Sequence, residues 1–289
     1  MKGILLAGGH GERLFPITRA TSKQLLPVYD KPMIFYPLCA LMQAGAREVL
    51  VIIRPEEESR FRMLLSDGSQ WGMEISYALQ THPNGIAEAP LIGAKFIGDS
   101  RFALALGDNI FCGEDFDAAL ASTATVPSGA TILAKRVDAP DRYGVVDFAA
   151  DGKPRRIIEK PAEPPSEYAV TGLYFYDSDA VSIARDLKPS ARDELEITDL
   201  NNAYLDEGRL SVVTLPEKVA WLDMGTPEGL LEASQLVASE QRRRGERIGV
   251  PEHLALRSGW IDAAQIARLA ALYGDNDYGR YLGRLIDDA

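Results

Sequence analysis

The sequence is poor in the residues that build several common kinds of site. It has two cysteines and three histidines in 289 residues. Cys39 and Cys112 lie far apart, which gives neither a disulfide framework nor a zinc-finger spacing and predicts two buried small hydrophobes in a reducing compartment. No G-x-S-x-G elbow is present, so the usual serine-nucleophile apparatus is missing. No stretch approaches the about 18 apolar residues of a membrane span. The apolar run that opens the chain is too short for a secretory signal, so a cytoplasmic protein without membrane contact is expected. Positive charge is scarce as well: 31 Lys and Arg stand against 42 Asp and Glu, a formal net charge of −11. That balance argues against non-specific nucleic-acid binding, which needs clustered cations. There is no internal repeat, low-complexity segment or flexible linker.

What is present is enough for a large core, with 46% hydrophobic residues. Residues 3–7, GILLA, read as a short strand apolar on both faces, and a glycine-rich turn follows, GGHGERL. Gly8, Gly9 and Gly11 let the main chain present N–H groups to an anion. Residues 1–31 also gather Lys2, Arg13, Arg19, Lys23 and Lys31 against only Glu12 and Asp30, so an acidic protein concentrates its cations where a polyphosphate would need them. A Walker loop is excluded because Gly-Lys-Ser/Thr does not follow, and a dinucleotide fingerprint is excluded because Leu14 stands at the third glycine position.

Farther along, strand and helix patterns alternate. Strands are predicted at 48–53, 74–79 and 102–106. Helices are predicted at 33–44 with Pro32 at the first helical position, at 56–65 and at 86–97. Pro90 suits only a first helical turn, which places that last helix start near 85–89. The spacing predicts a doubly wound, mostly parallel α/β sheet with ligands beyond the strand C-terminal ends, where residues 8–13, 80–85 and 108 fall. The second half is less regular. Strands are predicted at 130–136, 143–148, 155–161, 168–176 and 210–215, helices at 177–187 and 196–207, and a helical tail from about 228.

The segments GGHGERL, SKQLLPVYDKPMI (22–34), LGDN (106–109), RYGVV (142–146), EKP (159–161), AVTGLYFYD (169–177), ELEITDLN (194–201) and WLDMGTPE (221–228) together resemble the sugar-phosphate nucleotidyltransferases, and among them the short-form glucose-1-phosphate thymidylyltransferases. The resemblance spans nearly the whole chain. It implies a Rossmann-like nucleotidyltransferase fold with a nucleotide half (about 1–110), a β-rich sugar-phosphate half (about 111–227) and a C-terminal helical extension (228–289) used in subunit contacts. It implies dTTP and glucose 1-phosphate as substrates, Mg²⁺ as cofactor, a homotetramer, and feedback by a dTDP-deoxysugar. The implied reaction is a direct displacement at the α-phosphorus, which needs cations and positioning rather than a protein nucleophile.

Carried over position by position, Arg13 and Lys23 match residues on the triphosphate, and Lys160 the one on the sugar phosphate. Asp108 and Asp223 match the metal pair. Leu6, Gly8, Gly9, Gln24, Gln80 and Gly85 match nucleotide contacts, with Gln80 and Gly85 at the base. Tyr143, Gly144, Glu159 and Val170 match the sugar site. His10, Glu12, Phe15, Pro90 and Met224 depart from the usual pattern, and Glu12 adds negative charge beside the expected phosphates. The competing readings are an NADP-dependent oxidoreductase using Arg54 at the end of the second strand, a non-catalytic sugar-nucleotide-binding subunit, and a UTP-using uridylyltransferase.

Overall fold

A computed structural model describes residues 1–123 and 128–287. In chain order the strands are β1 (Lys2–Ala7), β2 (Pro27–Val28), β3 (Lys31–Pro32), β4 (Glu48–Ile53), β5 (Glu74–Leu79), β6 (Phe102–Leu106) and β7 (Asn109–Cys112), then β8 (Ala130–Arg136), β9 (Gly144–Phe148), β10 (Pro154–Glu159), β11 (Tyr168–Tyr176), β12 (Leu210–Thr214) and β13 (Ala220–Asp223). The helices are α1 (Phe35–Gln43), α2 (Glu58–Leu65), α3 (Ala89–Ile92), α4 (Ala94–Ile97), α5 (Phe116–Thr123), α6 (Ala180–Asp186), α7 (Ile197–Asp206), α8 (Pro227–Arg244), α9 (Pro251–Arg257), α10 (Ala263–Tyr273) and α11 (Asp277–Asp287).

One mixed sheet organises the molecule, in the order β10-β9-β11-β6-β1-β4-β5, with β8 and β12 joined through β11. β1 pairs in parallel with β4 on one side and β6 on the other, and β4 with β5. The strand order therefore reverses at β1, and a crevice opens at the C-terminal ends of β1 and β6, the usual ligand position in a doubly wound sheet. Alternate residues of each parallel strand feed two cores. Leu5, Val49, Val51 and Ala103 pack with α1, Trp71 and the C-terminal helices on one face, while Ile4, Leu50, Ile52 and Leu104 pack with residues of α6 and α7 on the other. Burial on both faces explains why these strands read as continuous apolar runs.

A third cluster fastens the glycine-rich segment to the rest. Leu14, Leu26, Val28 and Met33 pack with Ile110, Met224 and Ala233 and Val237 of α8. Met224, one of the departures, is fully buried there, where a thioether fills space that a polar side chain would not.

Two expectations change. Pro32 lies in β3, paired with Pro27, and α1 begins at Phe35. The segment 86–97 is a 3₁₀ turn followed by α3 and α4, separated at Gly93, where a Cβ would lie 2.9 Å from Ile4 Cδ1. Pro90 occupies the first turn of α3. A ladder that no local pattern announces pairs β7 with β13, setting Asp223 opposite Asn109. Among the described residues no helix is long and apolar enough to cross a membrane.

Candidate active site

The glycine-rich turn leaves β1 at the reversal point. Gly11 adopts φ +66°, and short 3₁₀ turns carry the chain past Arg13 and Lys23. Gly11 makes this path possible because a left-handed residue with a Cβ would be strained and would meet Lys23 and Thr18 at 3.1 Å. Lys23 is almost fully buried, and its ammonium pairs with the Asp108 carboxylate at the end of β6. Asn109 Nδ2 donates to the other Asp108 oxygen at 2.9 Å. Asn109 is itself fixed, since its Oδ1 accepts from Trp221 Nε1 at 2.6 Å and from the Gly172 N–H at 3.1 Å. Arg13 crosses to the other wall, where its guanidinium packs so tightly on Gly225 that a Cβ there would lie 2.4 Å from Nη2.

Asp223, at the end of β13, lines the same cleft as Asp108. Burial and the Asp108 charge push its carboxyl up to about 6, against the pull of Lys23, Arg13 and Arg142. Burial opposes the Asp108 charge too, but the Lys23 ammonium and the bonds from Lys23 and Asn109 hold it below its ordinary value. Among the described residues the Asp223 carboxylate has no hydrogen-bond or ion-pair partner, and no group of three His, Cys, Asp or Glu side chains forms a cage. Two facing carboxylates, one with free oxygens, are a hard and incomplete donor set. It suits a divalent cation.

The far wall comes from β9, β10, β11 and α7. Tyr143, Gly144, Glu159, Lys160 and Val170 line the cleft together with Arg13, Asp108 and Asp223. Glu159 is held by Thr198 Oγ1 at 2.6 Å and by Arg192 Nη2 at 3.2 Å. Lys160 has φ +43°, rare for a residue with a Cβ, and its side chain is half exposed, with Nζ 3.5 Å from Glu159 Oε1. It follows the last residue of β10 and stands in the lining of the cleft. Gly144 leaves room for Thr198 and Glu159, whose oxygens would stand 3.1 and 3.4 Å from a Cβ. Tyr143 packs on Trp221 with ring centroids 4.9 Å apart.

The remaining expected contacts are not among the residues lining that cleft; they gather beside it, around the C-terminal ends of β1, β5 and β6. Gln80 is buried just beyond β5, with Oε1 against the Gly8 Cα, where a Cβ would lie 2.2 Å away. Gly9 is open on that side. Gln24 is buried under Leu6 and Gly107, its Oε1 accepting from Ser22 Oγ at 2.6 Å. Gly85 packs on Leu195, so it shapes the loop and brings no side chain to the cleft. Glu12 is exposed and pairs with neither Lys23 nor Arg13. His10 is exposed too, its Nδ1 2.8 Å from Arg54 Nη1. Arg54 also pairs with Glu56 and Glu57, so the cation on which the oxidoreductase reading depended is engaged within the protein.

Asn109, Arg142, Thr198, Trp221 and Arg192 were not picked out as site residues by sequence reasoning. Asn109, Arg142, Thr198 and Trp221 sit inside the recognised LGDN, RYGVV, ELEITDLN and WLDMGTPE segments, which was the available signal. Arg192 lies outside those segments, and both it and Thr198 reach Glu159 through tertiary contacts.

Comparison with known proteins agrees with this geometry. Residues 2–240 match the nucleotidyl transferase family. A Neisseria meningitidis serogroup A protein named glucose-1-phosphate thymidylyltransferase is 52% identical over 286 residues, 99% of both chains. A Mycobacterium tuberculosis protein of the same name is 50% identical over 287 residues, again 99% of both. A Bacillus anthracis crystal structure in complex with a sucrose, assigned to the same enzyme, is 42% identical and superposes with TM-score 0.76 over 82% of this chain and 94% of that one. A UDP-glucose pyrophosphorylase complexed with UDP-glucose is 25% identical, with TM-score 0.73 over 83% and 98%. With the reversal-point cleft, the paired carboxylates and near-complete alignment at half identity, this chain belongs to the nucleotidyl transferase family, among its glucose-1-phosphate thymidylyltransferases.

Proposed function

We propose that the cleft transfers a deoxythymidylyl group from dTTP to α-D-glucose 1-phosphate. The sugar phosphate's oxygen attacks the α-phosphorus, the bond to the β-phosphate breaks, and dTDP-glucose and pyrophosphate leave. What supports this most is the meeting of Lys23, Asp108, Arg13 and Asp223 at the reversal of the sheet, with Lys160 and Glu159 on the facing wall. Two polyanions can be brought together there without a protein nucleophile.

In this reading Arg13 and Lys23 hold the triphosphate and neutralise charge that grows on the leaving pyrophosphate. Lys160 and the neighbouring Arg142 orient the sugar phosphate. Glu159, Tyr143, Gly144 and Val170 bound the sugar, and Thr198 and Arg192 keep the Glu159 carboxylate aimed. Leu6, Gly8, Gly9 and Gln24 support the nucleotide, with Gln80 at its base and Gly85 shaping the loop around it. Asp108 and Asp223 would hold the family's divalent cation, here Mg²⁺, which when bound supplies positive charge to the crowded phosphate oxygens. The chain divides by role into a nucleotide half, a sugar-phosphate half and a helical extension.

The product feeds dTDP-deoxysugar synthesis, such as that of dTDP-rhamnose, in the cytoplasm. The enzyme acts as a homotetramer inhibited by a downstream dTDP-deoxysugar. A second concavity beside α1, α8 and α9, carrying Arg244, Arg247 and Arg257, suits such an anion. The similarity to UDP-glucose pyrophosphorylase favours UTP as a second nucleotide.

Pyrophosphate release with glucose 1-phosphate, measured across dTTP, UTP, dCTP, ATP and GTP, with Mg²⁺ and with EDTA, tests the reading. Fastest turnover with dTTP and loss in EDTA are expected. No release with any pyrimidine nucleotide overturns it.

A further inference from the structure

The loop after β5 folds so that Glu88 receives two amides. Gln80 Nε2 donates to Glu88 Oε2 at 2.7 Å, and Asn84 Nδ2 donates to Oε1 at 2.8 Å. The loop is pinned in this shape from outside. Leu195 N–H donates to the Asn84 carbonyl at 2.7 Å, and the Ala87 N–H to the Leu195 carbonyl at 3.1 Å. Gly85, at φ +105°, lies against Leu195, whose oxygen would be 2.3 Å from a Cβ.

A carboxylate accepts hydrogen bonds and donates none, whereas a glutamine amide has a donor end and an acceptor end that exchange by a half-turn. Glu88 therefore decides which way Gln80 faces. The amide nitrogen must meet Glu88, and Oε1 must take the opposite side, where it touches the Gly8 Cα.

We propose that Glu88 is a positioning residue that locks the Gln80 amide and so selects pyrimidines with a 4-keto group over those with a 4-amino group. The inference rests on Gln80 facing the base. In the locked orientation Oε1 accepts from a base N3–H, and the second Nε2 hydrogen donates to O4, an edge that thymine and uracil share. Cytosine offers an acceptor at N3 and a donor at N4. It fits only the flipped amide, which would turn Oε1 against the Glu88 carboxylate. The 5-methyl group is not read by this device, so dTTP and UTP are not separated by it.

The test is Glu88→Gln, which keeps size but lets residue 88 donate or accept. The KM for dTTP and the inhibition constant of dCTP against dTTP are measured in wild type, Glu88→Gln, Gln80→Ala and the double variant. Glu88→Gln is expected to shrink the dCTP-to-dTTP discrimination by about tenfold, the scale of one hydrogen bond to a charged group. The change should fall on KM and the inhibition constant rather than on kcat, and it should vanish in the Gln80→Ala background. Unaltered discrimination in Glu88→Gln, or a change that persists without Gln80, overturns the proposal. A wild-type dTTP KM in Gln80→Ala instead strikes the assignment of Gln80 to the base, and with it this proposal. Absence of turnover with dTTP and UTP in wild type strikes the proposed reaction itself.

Discussion

The two arms of the proposed site are made of different material. Over β1, β4 and β5 the surface is largely main chain: Gly9 is open, Gly11 turns through φ +66°, and Gly8 is buried with Gln80 directly on its Cα. Over β9, β10 and β11 it is side chain crossed from separate elements, with Glu159 from β10, Thr198 from α7 and Arg192 from the loop before it. A backbone cradle is specified by a few adjacent residues, whereas a side-chain wall is specified by which elements pack together. At Gly8 and Gly11 the first tolerates almost no added atoms, and the second tolerates almost no lost ones.

Removing a charge from the shared floor or the side-chain wall should therefore cost most. Asp108→Asn, Asp223→Asn and Lys160→Ala are each expected to lower kcat/KM by at least about 10²-fold in a pyrophosphate-release assay, the scale of one preorganised electrostatic group. Near-wild-type turnover in all three would dissolve the contrast. Adding one methyl group at the loop hinge comes next: Gly85→Ala should lower unfolding stability in a denaturant titration by about 2 kcal/mol, because φ +105° and the Leu195 backbone both oppose a Cβ. Gly8→Ala, whose Cβ would displace the Gln80 amide, is expected to raise the nucleotide KM about tenfold while the sugar-phosphate KM stays put. An equal rise in both would mean that the arms are not separable. Smallest is a comparison at one position. Lys160→Gly and Lys160→Ala should lose activity alike, yet the glycine variant should be the more stable by about 0.5–1 kcal/mol in the same titration, since only it adopts φ +43° freely. Equal stabilities would show that the strain is not felt there.

The same contrast explains what could be read in advance. The strands at 48–53, 74–79, 102–106, 130–136 and 168–176 have the bounds that their apolar patterns predict, because burial on one or both faces leaves a local record. Pro32 misled because a proline suits the start of a helix and an isolated short strand equally well. At Gly93 the glycine itself was the local sign of a break, while the close approach of Ile4 that leaves no room for a Cβ there is visible only in the fold. Glu12, the least comfortable residue of the glycine-rich turn, needed no partner, because it is solvated at the surface.

By itself the sequence determined the α/β alternation, the glycine-rich turn at a strand end, the exclusion of Walker and dinucleotide motifs, and, through its family segments, the residues to watch. Those features are local: they depend on side-chain period, on residues that permit positive φ, and on charge within a short stretch. Only the tertiary structure decided that β7 and β13 bring Asp223 to Asp108, that Arg13 needs Gly225, that Asn109 ties Trp221 to the carboxylate floor, and that Glu88 governs the face of Gln80. Each of these joins groups through folding geometry, which sets the distances and hydrogen-bond directions that chain order does not.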